Sequence, residues 1–330
     1  MVERAALIPP TSCGLRRVPF LEAFLEIPVE MRVRPVGDRD DIVWLGWGAK
    51  RSGRWAARWA GWLGGRAVYL EDGFLRSFGT GNRFPPLSIV VDGMGIYYDS
   101  TRPSALETLL ASDADVLAGI QDEVARAKAL ILKHRLSKYN HAPDLDPSGL
   151  RPGDTSRVLV VDQTYGDLSV TLGGADERTF ATMLAAACAE NPHATIYVKT
   201  HPEVTSGRKR GYLSQARADG KIVVLRQPVN PLSLIEQMDR VYVVSSTMGF
   251  EALLADKPVS CFGLPWYAGW GVTEDRQRCA RRTRRRSVDE LFAAAYFHYA
   301  RYLDPLTHRR GTIFEVIEWL LRQRRMAFAA

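Results

Sequence analysis

A chain of 330 residues with 46% hydrophobic and 25% charged side chains carries enough apolar material for one or two complete cores, which excludes disorder along its whole length. Its 44 basic and 37 acidic side chains leave a net charge of +7, a mild excess that suits an anionic partner. No run approaches the ~20 consecutive apolar residues of a membrane span, and the charge-interrupted start MVERAALIPPTSCGLRR lacks the apolar stretch of a signal peptide.

Short apolar runs alternate with helical patterns throughout. Residues 41–47 (DIVWLGW) predict a strand, and Trp55, Trp59, Trp62 and Leu63 then recur at helical spacing. Residues 67–70 predict a second strand, ending at Glu71-Asp72-Gly73. Residues 87–91 predict a third, ending at Asp92-Gly93, with 95–98 placed to pair back as a hairpin. Helical patterns run from Ser104 to Leu110 and over 122–134. Residues 140–156 (NHAPDLDPSGLRPGDTS) are rich in Pro, Gly and Asp and read as a linker. A second series follows: strands at 157–161, 194–199, 221–225, 241–244 and 259–262, and helices at 177–188, 231–238 and 245–254. Helical patterns at 288–303 and 312–324 close the chain.

This alternation predicts an α/β protein with parallel sheets and helices on both faces. The expected organisation is two Rossmann-like domains, at 1–145 and 146–290, facing a cleft, with closing helices at 291–330 placed to pack back on the first domain. Ligands of such sheets sit beyond the carboxyl ends of strands. Polar segments that directly follow strands are therefore the candidate sites.

Five segments qualify. Glu71-Asp72-Gly73-Phe74-Leu75-Arg76-Ser77 offers two carboxylates and a guanidinium, suited to a capped turn with a paired arginine or to proton abstraction from a sugar hydroxyl. Asp162-Gln163-Thr164-Tyr165-Gly166-Asp167 offers a carboxylate after a glycine turn, a nucleophile or an ordinary loop. Lys199-Thr200-His201 is an anion site or a surface lysine beside a buried histidine. Ser245-Ser246-Thr247, leading to Glu251, has more hydroxyls than capping needs and suits phosphate. Pro265-Trp266-Tyr267-Ala268-Gly269-Trp270-Gly271 stacks on a sugar or base, or packs an interface. Six arginines, at 278, 281, 282, 284, 285 and 286, then crowd nine residues.

Other chemistries lack their signatures. The D-x-D strings at 38–40, 113–115 and 144–146 follow no apolar strand, and no histidine pair has ligand spacing, so no metal is expected. Cys13, Cys188, Cys261 and Cys279 form no C-x-x-C pair, so neither a zinc site nor a disulfide framework is expected. Neither a phosphate-binding G-x-x-x-x-G-K-[ST] loop nor a dinucleotide G-x-G-x-x-G fingerprint is present. The expected location is cytoplasmic, with peripheral attachment to the inner membrane as an open alternative.

Several motifs in order resemble the bacterial capsule polysaccharide biosynthesis proteins of the KpsC/LipA type. They are EDGFLRS at 71–77, PPLSIVVD at 85–92, GIYYDSTRPS at 95–104, SKYN at 137–140, QTYGD at 163–167, KTHPE at 199–203, SSTMGFE at 245–251 and WYAGWG at 266–271. The resemblance spans residues 40–310. It implies a retaining β-Kdo glycosyltransferase of GT-B-like fold, using CMP-β-Kdo as donor substrate and no cofactor, and building a Kdo linker on a phosphatidylglycerol-type lipid. Familiar members carry two transferase modules, whereas this chain has length for one.

The resemblance further implies an N-terminal acceptor domain and a C-terminal CMP-sugar domain. It points to Asp167 as nucleophile, Glu71 as acceptor-side base, and Arg76 as partner of a Kdo carboxylate or the acceptor. Gln163, Lys199, His201, Ser245, Ser246 and Thr247 are expected at the donor, with Glu251 on the ribose and Trp270 stacking. The arginine run is expected at the lipid-linked acceptor or an anionic membrane surface. A sugar-nucleotide epimerase or another GT-B transferase acting on a surface glycan is the alternative. Nucleic acid is not an expected partner, because a basic run more often marks a solvated or phosphate-facing surface.

Overall fold

The computed structural model describes residues 6–9, 12, 15, 18–30, 42–81, 83–201, 204, 207, 209–218 and 220–328. The chain forms two compact α/β units. One comprises Met1–Leu130, Lys138–His141 and Phe292–Ala330, and the other Ile131–Ser137 and Ala142–Leu291. In place of a single boundary at 145 the chain crosses twice, residues 138–141 returning briefly to the first unit. Asp38 and Asp40 of the first D-x-D string, Cys13, Pro202 and Glu203 lie outside the described residues.

The strands of the first unit begin with β1 (Ala6–Leu7), β2 (Val29–Glu30), β3 (Val43–Trp47), β4 (Arg66–Asp72) and β5 (Ser88–Asp92). The second unit contains β6 (Arg157–Val161), β7 (Thr195–Lys199), β8 (Ile222–Leu225), β9 (Arg240–Val243), β10 (Val259–Cys261) and β11 (Glu274–Asp275). The chain then returns to the first sheet as β12 (Ala300–Leu303) and β13 (Arg310–Gly311).

Among the described residues the second sheet runs β11-β10-β9-β6-β7-β8, and every pairing in it is parallel. This is the doubly wound order, which reverses direction between β6 and β9. A parallel strand buried on both faces needs a continuous apolar run, and Val158, Leu159, Val160 and Val161 supply it. Phe180, Met183 and Ala187 of the helix Glu177–Glu190 pack against Val158, Val160, Ile196 and Val198. That helix starts in a reciprocal Asp176–Thr179 capping box.

The first sheet runs β13-β12-β5-β4-β3-β1-β2. Its β2-β1-β3-β4 part is parallel, as expected. The pairings β4–β5, β5–β12 and β12–β13 are antiparallel, which departs from the all-parallel expectation. Described residues between β4 and β5 form no helix, so the chain reverses instead of crossing over. The expected hairpin partner at 95–98 is a turn. The buried Asp92 organises it, accepting from Met94 N at 2.8 Å, Gly95 N at 3.0 Å, Ala105 N at 2.8 Å and the Tyr299 hydroxyl at 2.9 Å. The edge of β5 is taken by β12, with Ala300 opposite Val90. The single helix expected over 288–303 is accordingly an α-turn at Val288–Phe292, a π-helical segment at Ala293–Tyr299 and the strand β12.

The helix Arg51–Leu63 crosses between β3 and β4. Side chains of β3 alternate: Val43 and Leu45 enter one apolar cluster, and Trp44 enters another with Ala56 and Trp59. Helix and strand touch backbone to backbone. A Cβ on Gly46 would lie 2.4 Å from Gly53 Cα, and one on Gly53 would lie 1.9 Å from Gly48 O. Among the described residues no helix is long and apolar enough to cross a membrane.

This contact makes a paired prediction. Gly53→Ala lowers stability in urea unfolding by about 1–3 kcal/mol, the scale of overpacking. Gly61→Ala, where an added Cβ meets nothing within 4 Å, raises it by about 0.5–1 kcal/mol through helix propensity.

Candidate functional site

Each unit gathers polar side chains where its strands end. In the second unit this happens at the reversal between β6 and β9. Gln163, directly beyond β6, spans to Ser245 beyond β9: its Oε1 accepts from Ser245 N at 3.0 Å and its Nε2 donates to Ser245 Oγ at 3.1 Å. Ser169 joins them, its Oγ 3.1 Å from Ser245 Oγ and 3.3 Å from Gln163 Nε2. The amide thus uses both its ends to hold two hydroxyls at the crevice where such sheets take ligands. Ser246 Oγ accepts from Met248 N at 3.3 Å, and Thr247 precedes the helix Met248–Leu254 without a side-chain capping bond. His201 follows β7, the neighbour of β6.

Two aspartates flank this crevice and differ in kind. Asp162 is 2% exposed, and its Oδ1 accepts from Gln163 N at 2.9 Å and Leu213 N at 3.0 Å. It is a staple that fixes the turn at 211–213. Burial raises its pKa to about 6, against the lowering effect of those backbone donors. Asp167 is half-buried after Gly166 (φ +82°), and caps the short helix Leu168–Thr171 by accepting from Ser169 N at 2.9 Å. Of the two, Asp167 is the one reachable from solvent.

Other expected site residues have different work. Lys199 is 6% exposed, and its Nζ donates to Thr200 O at 2.9 Å and Gln227 O at 3.2 Å. Burial lowers its pKa to about 8. It is directed at main-chain carbonyls instead of an open anion site. Glu251 is buried and takes the hydroxyl of Ser137. That bond ties the Ile131–Ser137 segment into its unit, as do Arg135–Glu236 at 2.8 Å and Arg135–Asp144 at 2.6 Å. The Ser137 bond engages one oxygen of the Glu251 carboxyl, the group expected at the ribose. Trp270 is fully buried, and its indole N–H is satisfied by Trp266 O at 2.9 Å, so it packs the unit and offers no face to a sugar.

The arginine run divides. Arg282 is buried, donating to Pro265 O at 2.6 Å and Ala268 O at 2.8 Å. Arg286 is buried and pairs with Glu290 at 2.7 Å. These two fasten the Trp-Gly loop; Arg278, Arg281, Arg284 and Arg285 are exposed.

In the first unit the ends of β3 and β4 enclose Glu71, which is 8% exposed. Trp47 Nε1 donates to its Oε1 at 2.6 Å, and Asp72 N reaches the same oxygen at 3.2 Å. The Tyr98 hydroxyl donates to Oε2 at 3.3 Å while accepting from Ala49 N at 3.0 Å. Burial raises the Glu71 pKa, opposed by the charges of Lys50 and Lys138. Arg76 is committed locally, Nε to Asp72 at 2.7 Å and Nη1 to Ser77 Oγ and Phe84 O at 2.8 Å each. It braces the 72–84 loop in place of the substrate contact expected of it. Sequence reasoning missed Trp47, Tyr98 and Ser169. Tyr98 carried a signal in the GIYYDSTRPS motif, and Trp47 in closing a strand. Among the described residues no group of three or more His, Cys, Asp or Glu side chains is placed to hold a metal ion.

Two α/β units, each with polar side chains gathered at the carboxyl ends of parallel strands, define a protein of the GT-B-like class. The chain belongs to the capsule polysaccharide biosynthesis protein family, which matches residues 40–302. It is 44% identical over 333 residues to the capsule polysaccharide modification protein LipA of Neisseria meningitidis serogroup B, covering 98% of this chain and 46% of that protein. It is 42% identical over 236 residues to the lipopolysaccharide-processing protein LpsZ of Rhizobium meliloti, covering 71% of this chain and 53% of that one. The chain spans about half the length of the curated relatives it matches. A solved structure, Thermosulfurimonas dismutans KpsC, beta Kdo 2,4 transferase, superimposes with a TM-score of 0.90 at 47% identity, covering 97% of this chain and 99% of that one. The beta Kdo 2,7 transferase of the same organism gives 0.71 at 27% identity over the same shares.

The Asp162 staple makes a pH prediction. A folded-state pKa of about 6, raised from 3.8, means the native state holds the proton longer than the unfolded chain. The stability this lends is complete below the unfolded value and is lost as pH rises through about 6. Asp162→Asn flattens that fall in urea titrations between about pH 4 and 6. An unchanged slope in the variant counts against the raised pKa.

Proposed function

We propose that this chain is a β-Kdo glycosyltransferase module of capsule synthesis, taking Kdo from CMP-β-Kdo with retention and passing it to a lipid-linked glycan acceptor. The observation that carries the reading is the likeness to a named β-Kdo 2,4 transferase over 97% of the chain at 47% identity. The lower identity to the 2,7 transferase, 27%, favours the 2,4 linkage.

Retention follows from two displacements, each inverting. In the second unit the Asp167 carboxylate attacks the anomeric carbon of the donor, the bond to the CMP phosphate oxygen breaks, and a glycosyl ester forms. Gln163, His201, Ser245, Ser246 and Thr247 would hold the departing monophosphate, without a metal. Lys199 contributes charge through its buried position. The acceptor hydroxyl oxygen, its proton taken by a base, then displaces Asp167 and releases the product; in the first unit Glu71 has the character of such a base. A carboxyl whose pKa burial has raised is a stronger base once ionised. Peripheral contact with an anionic membrane, where a lipid-linked acceptor resides, belongs to the same reading.

Incubation with CMP-Kdo and a Kdo-terminated acceptor, followed by NMR of the linkage, yields a β-configured product in the presence of EDTA. Donor hydrolysis or epimerisation without acceptor transfer would point to the epimerase alternative. Asp167→Asn lowers turnover by at least ~10²-fold while CMP binding persists, and mass spectrometry finds the Kdo adduct on Asp167 in the stalled enzyme. For Glu71 the acid limb of kcat/KM lies above the ordinary carboxylate range, and Glu71→Gln abolishes it.

A further inference from the structure

The helix Arg51–Leu63 (RSGRWAARWAGWL) has two faces with different chemistry. Its inner face, with Gly53 and Ala56 buried and Trp59, Ala60 and Leu63 packed beside them, closes the sheet. Core packing therefore does not account for its outer face. There Trp62 is 67% exposed, a large apolar ring left in water. Trp55 lies two turns back, 6.2 Å from Trp62 between ring centroids, and the Arg58 guanidinium sits 5.3 Å from the Trp55 ring. Arg51, Arg54 and Arg58 are exposed along the same helix, and Arg66 is exposed just beyond it. Residues 42–70 contain five basic and no acidic side chains.

We infer that this outer face is a docking surface for an anionic phospholipid bilayer, with Trp62 and Trp55 entering the headgroup layer and the arginines pairing with lipid phosphates. Three observations select that occupant. Indole rings and guanidinium groups together suit the bilayer interface, where an apolar body and a polar tip are both accommodated. The unbroken positive charge complements an anionic surface. A second copy of the chain would bring the same basic face against itself, which like charges oppose. The backbone contact at Gly46 and Gly53 holds the helix firmly on its sheet, so the face is presented as a rigid plate.

The helix begins two residues after Ala49, whose N–H holds the Tyr98 hydroxyl that donates to Glu71. Docking would therefore bring the Glu71 site to the lipid surface. This consequence for the acceptor rests on the transferase reading, whereas the docking itself does not.

Flotation of the full chain with phosphatidylcholine vesicles, with and without phosphatidylglycerol, at low and high salt, tests the surface. Binding is expected only with phosphatidylglycerol and falls with salt. Arg54→Gln with Arg58→Gln weakens it by about fivefold for each charge, and Trp62→Ser weakens it while the thermal midpoint stays unchanged. Arg284→Gln with Arg285→Gln is the comparison, and leaves binding near wild type. Equal binding by the wild type and the helix variants overturns the proposal. So does a dimer in sedimentation that Trp62→Ser dissolves, or tighter binding to DNA than to vesicles. Transfer to a water-soluble acceptor should be unaffected by Trp62→Ser. If vesicle binding behaves as expected but no protein transfers Kdo, the transferase reading falls and the docking surface stands.

Discussion

Parallel pairing of β6 with β7 and β9 brings three strand carboxyl ends to one edge, and the second unit's candidate site depends on that constraint. With the strands fixed in register, Gln163 and Ser245 face each other across the reversal in strand order, and one amide bridges them. The hydroxyls become a prearranged set because the sheet, and not the loops, sets their spacing. The first unit repeats the device with fewer parallel strands: β3 and β4 run side by side, so Trp47 at the end of one reaches Glu71 at the end of the other.

Three buried ionisable groups show how such edges tolerate charge. Glu71 is held by side-chain and backbone donors, Asp162 by backbone amides, and Lys199 by backbone carbonyls. Each pays for burial with a displaced pKa, carboxylates upward and the ammonium downward. Only Glu71 combines this displacement with a hydroxyl relay, since Tyr98 donates to it while accepting from Ala49. Asp162 and Lys199 have spent their hydrogen bonds on their own backbone, and their role is to shape the loops that carry Asp167 and His201.

Much of this architecture was legible in the sequence because β-branched runs ending at polar segments mark buried strands, although the run at 87–91, of the same appearance, pairs antiparallel on both sides. RVLVV and TIYVK needed no tertiary information. The two-residue strands β1 and β2 hold too little pattern to be seen, and FAAAYFHYARYL satisfies a helical period although its last residues pair as β12. At the candidate sites, residue type and position after a strand are what singled out Gln163, Ser245, Asp167 and Glu71. What could not be read was burial. Trp270, Glu251, Arg76, Arg282 and Arg286 have the chemistry of ligand contacts, yet their hydrogen bonds turn inward, and only the packed coordinates show which way a side chain turns.

The position of β12 in the first sheet bears on how the protein is made. Val90 pairs with Ala300, so the outer half of that sheet waits for residues that leave the ribosome after the entire second unit. Ala142–Leu291 is continuous and can fold as it emerges. Throughout that interval β5 presents an open edge rich in Ile and Val, the kind of template that recruits foreign strands. The nascent chain thus carries that open edge until β12 emerges to cover it.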